Sequence, residues 1–257
     1  MTTDDAVARL LESLKTLRPD QRERVEAFIR ALKEPPICTF RGSDFATEAF
    51  AHQFADVLRF HHQFSAEPFT KDKFEHAMVD ILNRTGRKAE LARRGNPGHD
   101  LTVDSERWSL KTQADRAIKK HTLHISKFME LGKGRWETEG DLVGLREQFL
   151  RHMDSYDRIL SLRCFRTAMQ DGTTQYEYEL VEIPKALMVQ AKTGKLRLMR
   201  DSPQTPKPGY CDVVSDKAML LFRLYFDGGT ERKLQIRDLG KAFCVVHATW
   251  RITVGSE

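Results

Sequence analysis

Apolar positions recur at helical spacing through the first part of the chain. Ala6, Leu10, Leu11 and Leu14 share one face of a segment over 5–16, and after Arg18-Pro19-Asp20 the residues Val25, Phe28, Ile29 and Leu32 repeat the pattern. The spacing predicts two short antiparallel helices that end at Pro35-Pro36 and pack either in a core or against a second copy. Another helix is expected over 70–84, entered through Thr70 as N-cap and closed near Gly86. On its wheel Phe74, Met78, Val79, Ile81 and Leu82 form one apolar arc, and Glu75 falls inside it. A carboxylate on a face meant for burial needs a cation beside it, because an isolated buried charge costs on the order of several kcal/mol. A metal or an ion pair with a neighbour such as Lys71 would each meet that need.

From residue 96 the pattern changes to alternation. Leu101-Thr102-Val103 and Trp108-Ser109-Leu110 flank the polar stretch Asp104-Ser105-Glu106-Arg107, which reads as a hairpin. If that stretch is the turn, opposed residues sum to 211, so Asp100 faces Lys111 and Thr102 faces Ser109. Asp100, Thr102, Ser109 and Lys111 then share one surface, with Leu101, Val103, Trp108 and Leu110 on the other. A helix is expected near 141–156, then a hairpin from Ile159–Arg166 through the turn Asp171-Gly172 to Tyr176–Ile183. Pro184 opens a short helix over 184–192. Leu196–Met199, the proline-broken loop 202–209, and strands near 219–226, 231–237 and 243–253 complete the chain. There is no internal repeat. The fold class is α+β, a central mixed sheet flanked by helices, with a helical N-terminal segment and a β-rich C-terminal part, in a single domain over 1–257.

Composition narrows the field without choosing a function. The 257 residues carry 42 Lys+Arg against 37 Asp+Glu, a net +5, with a sequence pI near 9.0. That excess permits a nucleic-acid partner but does not argue for one, so the placement of the charges matters more than their sum. No run approaches the roughly 18 apolar residues of a membrane span, and the acidic start lacks a signal peptide's basic and apolar regions, so a cytoplasmic protein is expected. Cys38, Cys164, Cys211 and Cys244 are scattered, which speaks against zinc or a disulfide framework.

The candidate chemistry lies in the first hairpin. An acid and a lysine on one face could be a cross-strand ion pair and nothing more. The wider pattern Pro97-Gly98-His99-Asp100, ten residues, then Lys111 resembles the PD-(D/E)XK nuclease superfamily, in which carboxylates hold a divalent ion and a lysine acts on the attacking water. Hard oxygen donors suit Mg²⁺, which polarises the scissile phosphate and lowers the pKa of water. One position departs from the pattern: Ser109 stands where the superfamily has Glu or Asp. The second acid must then come from elsewhere, with Glu75 the candidate and Glu106 and Gln113 the alternatives. His99 is turned off the Asp100 face and is expected to make a structural hydrogen bond.

A more specific resemblance, to type II restriction endonucleases, rests on ordered blocks from about residue 70 to the end. They are Phe74-Glu75-His76-Ala77, Asn96 to Ser105, Leu110-Lys111-Thr112, His124 to Gly134, Val181 to Lys185, Pro206 to Tyr210, and Leu224 to Gly229 running into Glu231–Arg237. The resemblance implies a homodimeric, Mg²⁺-dependent enzyme cutting double-stranded DNA at a short palindrome, with CCCGGG the target of the matched relative. It carries over Asp100, Lys111 and Glu75 as catalytic residues, Asp100 and Glu75 as metal ligands, and a non-acidic residue at the place of Ser109. A cognate DNA methyltransferase sharing the target is implied too.

DNA contact is expected from the strand over 231–237, where Lys233, Gln235 and Arg237 alternate with Leu234 and Ile236; Arg and Lys are the usual readers of guanine. Arg232 adjoins that face. The basic run Arg116, Lys119, Lys120, Lys127, Lys133 and Arg135 suits phosphates, and Lys207 with Pro208-Gly209-Tyr210 forms a stiff loop that could enter a groove. The chain is thus divided into a helical hairpin for dimerisation (1–36), a metal core (70–135) and a β-rich reading part (158–253). Two other readings stay open here: a DNA-binding protein on a nuclease fold that does not cut, motivated by Ser109, and a repair-type nickase.

Overall fold

The computed structural model describes residues 3–93, 98–114 and 118–255. Asn96, Pro97 and Arg116 lie outside the described residues. The helices are α1 (Thr3–Lys15), α2 (Pro19–Lys33), α3 (Glu48–His62), α4 (Lys71–Arg84), α5 (Glu139–Met153) and α6 (Lys185–Met188), the last continued by a 3-10 turn to Thr193. The strands are β1 (Ile37–Phe40), β2 (Ala89–Leu91), β3 (Leu101–Val103), β4 (Glu106–Gln113), β5 (Thr122–Glu130), β6 (Arg158–Ala168), β7 (Thr174–Glu182), β8 (Lys195–Leu198), β9 (Gly209–Val214), β10 (Leu220–Phe226), β11 (Lys233–Gly240) and β12 (Val245–Val254).

Among the described residues the strands form two sheets. A seven-stranded sheet has the order β1-β12-β7-β6-β4-β3-β2, and a five-stranded sheet has the order β5-β11-β10-β9-β8. The first sheet is mixed because β4 runs parallel to β6, with Lys111 opposite Ser161 and Gln113 opposite Arg163. A parallel neighbour needs a long crossover, and here β5 and α5 supply it. The α+β class with a mixed central sheet is what the structure has. Its sheets do not follow blocks of sequence: β5 pairs with β11, while β12 returns to lie between β1 and β7.

Alternation builds two cores on the two faces of the first sheet. Leu101, Val103, Trp108 and Leu110 are fully buried against Phe54, Phe74, Met78, Ile81 and Leu82 of α3 and α4. On the opposite face, Ile159 and Val181 join Phe149 and Met153 of α5 and the inner residues of the second sheet, including Leu234 and Ile236. The face that carries Asp100, Ser109 and Lys111 therefore looks toward α5 and the second sheet.

Several details depart from the sequence expectation. The first hairpin is tighter: Leu101 pairs with Trp108, Thr102 with Arg107 and Val103 with Glu106, a sum of 209. Asp104 takes φ +56°, which Asp tolerates, so Asp104-Ser105 alone make the turn and Glu106 begins the strand. A shift of two keeps every side chain on its predicted face but sets Ser109, not Lys111, level with Asp100. Thr70 holds the N-cap position of α4 without a side-chain cap bond. Helix α3, capped by the Thr47 hydroxyl on the Phe50 N–H, and strands β1, β5 and β9 were not anticipated. The stretch expected as a strand over 231–237 starts at Lys233 and runs to Gly240; Arg232, at φ +42°, belongs to the preceding turn.

Both N-terminal helices are present, over Thr3–Lys15 and Pro19–Lys33. Phe28 packs edge-to-face on Phe60 and Phe64, ring centroids 5.1 Å away in each case, and fastens α2 to α3. The apolar face of α1 stays open, with Val7, Leu10 and Leu11 each more than half exposed.

Candidate active site

Three elements bring the chemistry together. The Asp100 backbone N–H donates to the Trp108 carbonyl at 2.9 Å, so the acid is fixed one step before β3 by hairpin pairing. Its Oδ2 accepts the Leu110 backbone N–H at 2.6 Å and the Ser109 hydroxyl at 3.4 Å. Its Oδ1 accepts Lys71 Nζ at 2.7 Å. Glu75, one helical turn along α4 from Lys71, meets the same ammonium at 3.0 Å. Two carboxylates from different elements thus converge on one cation, and both are mostly shielded, 18% exposed at Asp100 and 20% at Glu75.

Lys111 stands on the same strand face, its Nζ 5.5 Å from the centroid of the Phe128 ring on β5. Burial pushes its ammonium down to about 8; the Asp100 and Glu75 charges oppose that fall and the Lys71 charge adds to it. For Lys71 burial acts downward too, but its bonds to Asp100 and Glu75 outweigh it and hold the group above its ordinary value. Asp100, Lys71 and Lys111 line a cleft of about 1000 Å³ whose other walls are β5 and α5, with Lys127, Gln148, Arg151 and His152 among the lining residues. A pair of oxygen acids closed over by a cation is a donor set suited to a hard divalent ion. Among the described residues no group of three or more His, Cys, Asp or Glu side chains gathers at a metal-binding spacing.

The alternatives for a second acid lie elsewhere. Glu106 accepts the Trp108 indole N–H at 3.0 Å and is 3.9 Å from Arg158, away from the cleft. Gln113 does share the Lys111 face, but it is buried and its Oε1 accepts Arg163 Nε at 3.1 Å. His99 makes a hydrogen bond at 3.2 Å to the hydroxyl of Thr102, a residue read onto the Asp100 face from which His99 was expected to turn away.

The expected DNA contacts separate into groups. Lys127 lines the main cleft, 2.9 Å from Glu130. Lys119 and Arg237 line a smaller cleft of about 330 Å³ with His124, Tyr210 and Arg223. There Gln235 is nearly buried: its amide donates to Asp227 at 3.1 Å, and its Oε1 accepts Arg237 Nε at 3.0 Å and lies 3.2 Å from His124 Nε2. The Arg237 guanidinium stacks 3.6 Å above the Tyr225 ring and donates to the Tyr210 hydroxyl at 3.2 Å. The remaining residues stand apart from both clefts. Lys120 pairs with Glu177 at 3.2 Å and Lys233 with Glu231 at 2.9 Å, while Arg232 donates to the Gly134 carbonyl at 2.6 Å beside exposed Lys133. Lys207 gives its ammonium to the Ser202 carbonyl, and its own carbonyl accepts the Trp136 indole at 2.6 Å. Tyr210, expected in a loop, is a strand residue and packs at a tilt against Tyr225, ring centroids 5.0 Å apart. Gly228 fixes that region, since a Cβ there would lie 1.8 Å from the Pro206 carbonyl oxygen.

Sequence reasoning missed the role of Lys71, weighed only as a partner for Glu75, and the whole β5 wall with Phe128. The i,i+4 spacing of Lys71 and Glu75 was the visible signal for the first. No signal tied Lys71 to Asp100.

Comparison with known proteins settles the class. The profile of the SmaI family, described as type II site-specific deoxyribonuclease, matches residues 11–252. The type II restriction enzyme SmaI of Serratia marcescens is 46% identical over 208 residues, covering 80% of this chain and 81% of the relative. No solved structure gives a significant match. A profile match across nearly the whole chain, a relative this similar, and an α+β fold with a mixed central sheet leave one assignment: the chain belongs to the SmaI family of type II site-specific deoxyribonucleases.

Proposed function

We propose that Asp100 and Glu75 hold the divalent ion that type II restriction enzymes need, that this ion is Mg²⁺, and that Lys111 assists attack on the phosphodiester. The observation that carries the reading is the convergence of Asp100 and Glu75 on one ammonium at the floor of the large cleft, with Lys111 on the same face. When bound, a divalent ion supplies positive charge at the scissile phosphate and acidifies a nearby water. The chain supplies the rest. The Leu110 N–H and Ser109 hydroxyl fix Oδ2 of Asp100, so Ser109 serves as support for an acid instead of replacing one. Lys111 Nζ, set on a rigid strand, orients the attacking water and counters the charge that develops on the phosphate. Lys127 and Arg151 place further positive charge along the cleft for the DNA backbone.

The target is taken as CCCGGG on the strength of the relative's name, and Arg237 with Lys119 in the smaller cleft is the part that reads it, with buried Gln235 holding Arg237 from behind and not itself reaching a base. The aromatic and amide contacts around Arg237 hold a guanidinium in one orientation, which base readout by a planar fork requires. A palindrome presents two equivalent half-sites, so the working unit is a homodimer related by a two-fold axis. The open apolar face of α1 supports the N-terminal hairpin as its contact. The enzyme acts in the cytoplasm, beside a methyltransferase of the same specificity.

Digestion of a plasmid carrying a single CCCGGG site with Mg²⁺ tests this. Linear product with ends at that site is expected; fragments elsewhere overturn the target, nicked circles alone favour a nickase, and a band shift without cutting favours a binding protein. Sedimentation of wild type and Leu10→Glu tests the dimer, with dissociation of the variant expected.

A further inference from the structure

We propose that Lys71 is an internal counter-ion of the metal site: in the DNA-free enzyme its ammonium stands between Asp100 and Glu75, and it leaves that place when a divalent ion binds. The inference rests on the reading of those two acids as metal ligands.

Four observations point to it. Lys71 Nζ touches Asp100 Oδ1 at 2.7 Å and Glu75 Oε1 at 3.0 Å, hydrogen-bonding distances that leave the two acids no room for a second cation between them. Lys71 is the first residue of α4, where the helix dipole disfavours a positive charge, so its position is stabilised by the two acids and not by the helix. Its side chain keeps 41% of its surface exposed and already lines the cleft, so the four-carbon stem can swing out without disturbing the core. Oδ2 of Asp100 is held by the backbone independently of Lys71, so that acid stays in place when the lysine departs.

The consequence is competition. Without a cation, two shielded carboxylates side by side repel each other, and Lys71 removes that repulsion at the cost of weakening metal binding. Once released, the ammonium joins Lys111, Lys127 and Arg151 along the wall that faces the DNA phosphates. An ammonium that loses two carboxylates and gains a phosphate makes metal and DNA favour each other's binding.

Mn²⁺ titration of the DNA-free protein, followed by the loss of the free-ion electron paramagnetic resonance signal, reads this without any cleavage. Lys71→Met, which keeps the length and removes the charge, is expected to bind Mn²⁺ roughly tenfold tighter than wild type. Lys71→Arg, which keeps the charge, should stay near wild type, and Asp100→Asn should lose binding. If Asp100→Asn loses binding while Lys71→Met binds no tighter than wild type, the counter-ion role is overturned and the metal site stands. If Asp100→Asn binds Mn²⁺ like wild type, the metal-site reading fails and this inference with it. Lys71→Gln repeats the comparison should circular dichroism show Lys71→Met unfolded.

Discussion

Strand β4 carries two polar clusters on one face, only two residues apart, and they differ in their access to water. At Lys111 the neighbours are Asp100, Glu75 and Lys71, and Lys111, Asp100 and Lys71 border an open cleft. At Gln113 the neighbour is Arg163, which is fully shielded and donates to Gln113, to Glu179 at 2.8 Å and to the carbonyls of Lys119 and Thr122. Glu179 also accepts Lys241 at 2.7 Å. In the sealed cluster every strong donor named has a fixed acceptor, whereas in the open one two acids share a single ammonium whose side chain is 41% exposed. Chemical capacity follows from that difference: a saturated network stabilises an arrangement, and an undersaturated one at a cleft can exchange its cation.

The comparison breaks most sharply at Asp100. Asp100→Ala is expected to cut cleavage of plasmid DNA on the order of a thousandfold or more, with little change in melting temperature; near wild-type cleavage would remove Asp100 from the site. Arg163→Met should show the opposite balance, a loss of roughly 3 kcal/mol in urea unfolding, because buried Glu179 keeps only Lys241 while Gln113 and the Lys119 and Thr122 carbonyls lose their donor. Glu75→Gln keeps shape and removes charge, so cleavage should fall about a hundredfold with normal folding. The smallest effect concerns another sealed group. Burial holds His62 down at about 4 against 6.5 in the unfolded chain, outweighing the bond its Nδ1–H donates to the Ser65 carbonyl, which acts upward; Nε2 accepts the Tyr178 hydroxyl. Between those two pH values the unfolded chain binds a proton that the folded one refuses, so stability falls as pH drops from 6.5 toward 4 and is unaffected by this group above that range. Melting temperatures at pH 7 and pH 5 should differ by a few degrees, about, and less in His62→Gln.

Much of the candidate hairpin was legible because alternation alone sorts Asp100, Ser109 and Lys111 onto one face, and that survives an error of two in the register. The error came from Asp104, whose positive φ allows a two-residue turn that composition does not announce. Glu75 was legible as a charge misplaced in an apolar arc. Lys71 was not, because its second partner lies 29 residues away and only folding joins them. Helix α3 could have been read from Thr47 and the spacing of Phe50, Phe54 and Leu58. Strand β5 hides its alternation behind shifts in its pairing with β11, and the setting of Gln235 against His124 depends on a neighbour 111 residues distant. Pairing between remote strands leaves no local mark.

Arg163 has a mechanical consequence as well. Its planar fork touches Gln113, the last residue of β4, and Thr122, the first of β5, and those strands are opposite walls of the main cleft. The guanidinium thus ties the end of one wall to the start of the other through three fixed hydrogen bonds. A lysine there would keep the charge toward Glu179 but could not reach Gln113 and the Lys119 and Thr122 carbonyls at once, so the two strands would lose a shared anchor of fixed shape.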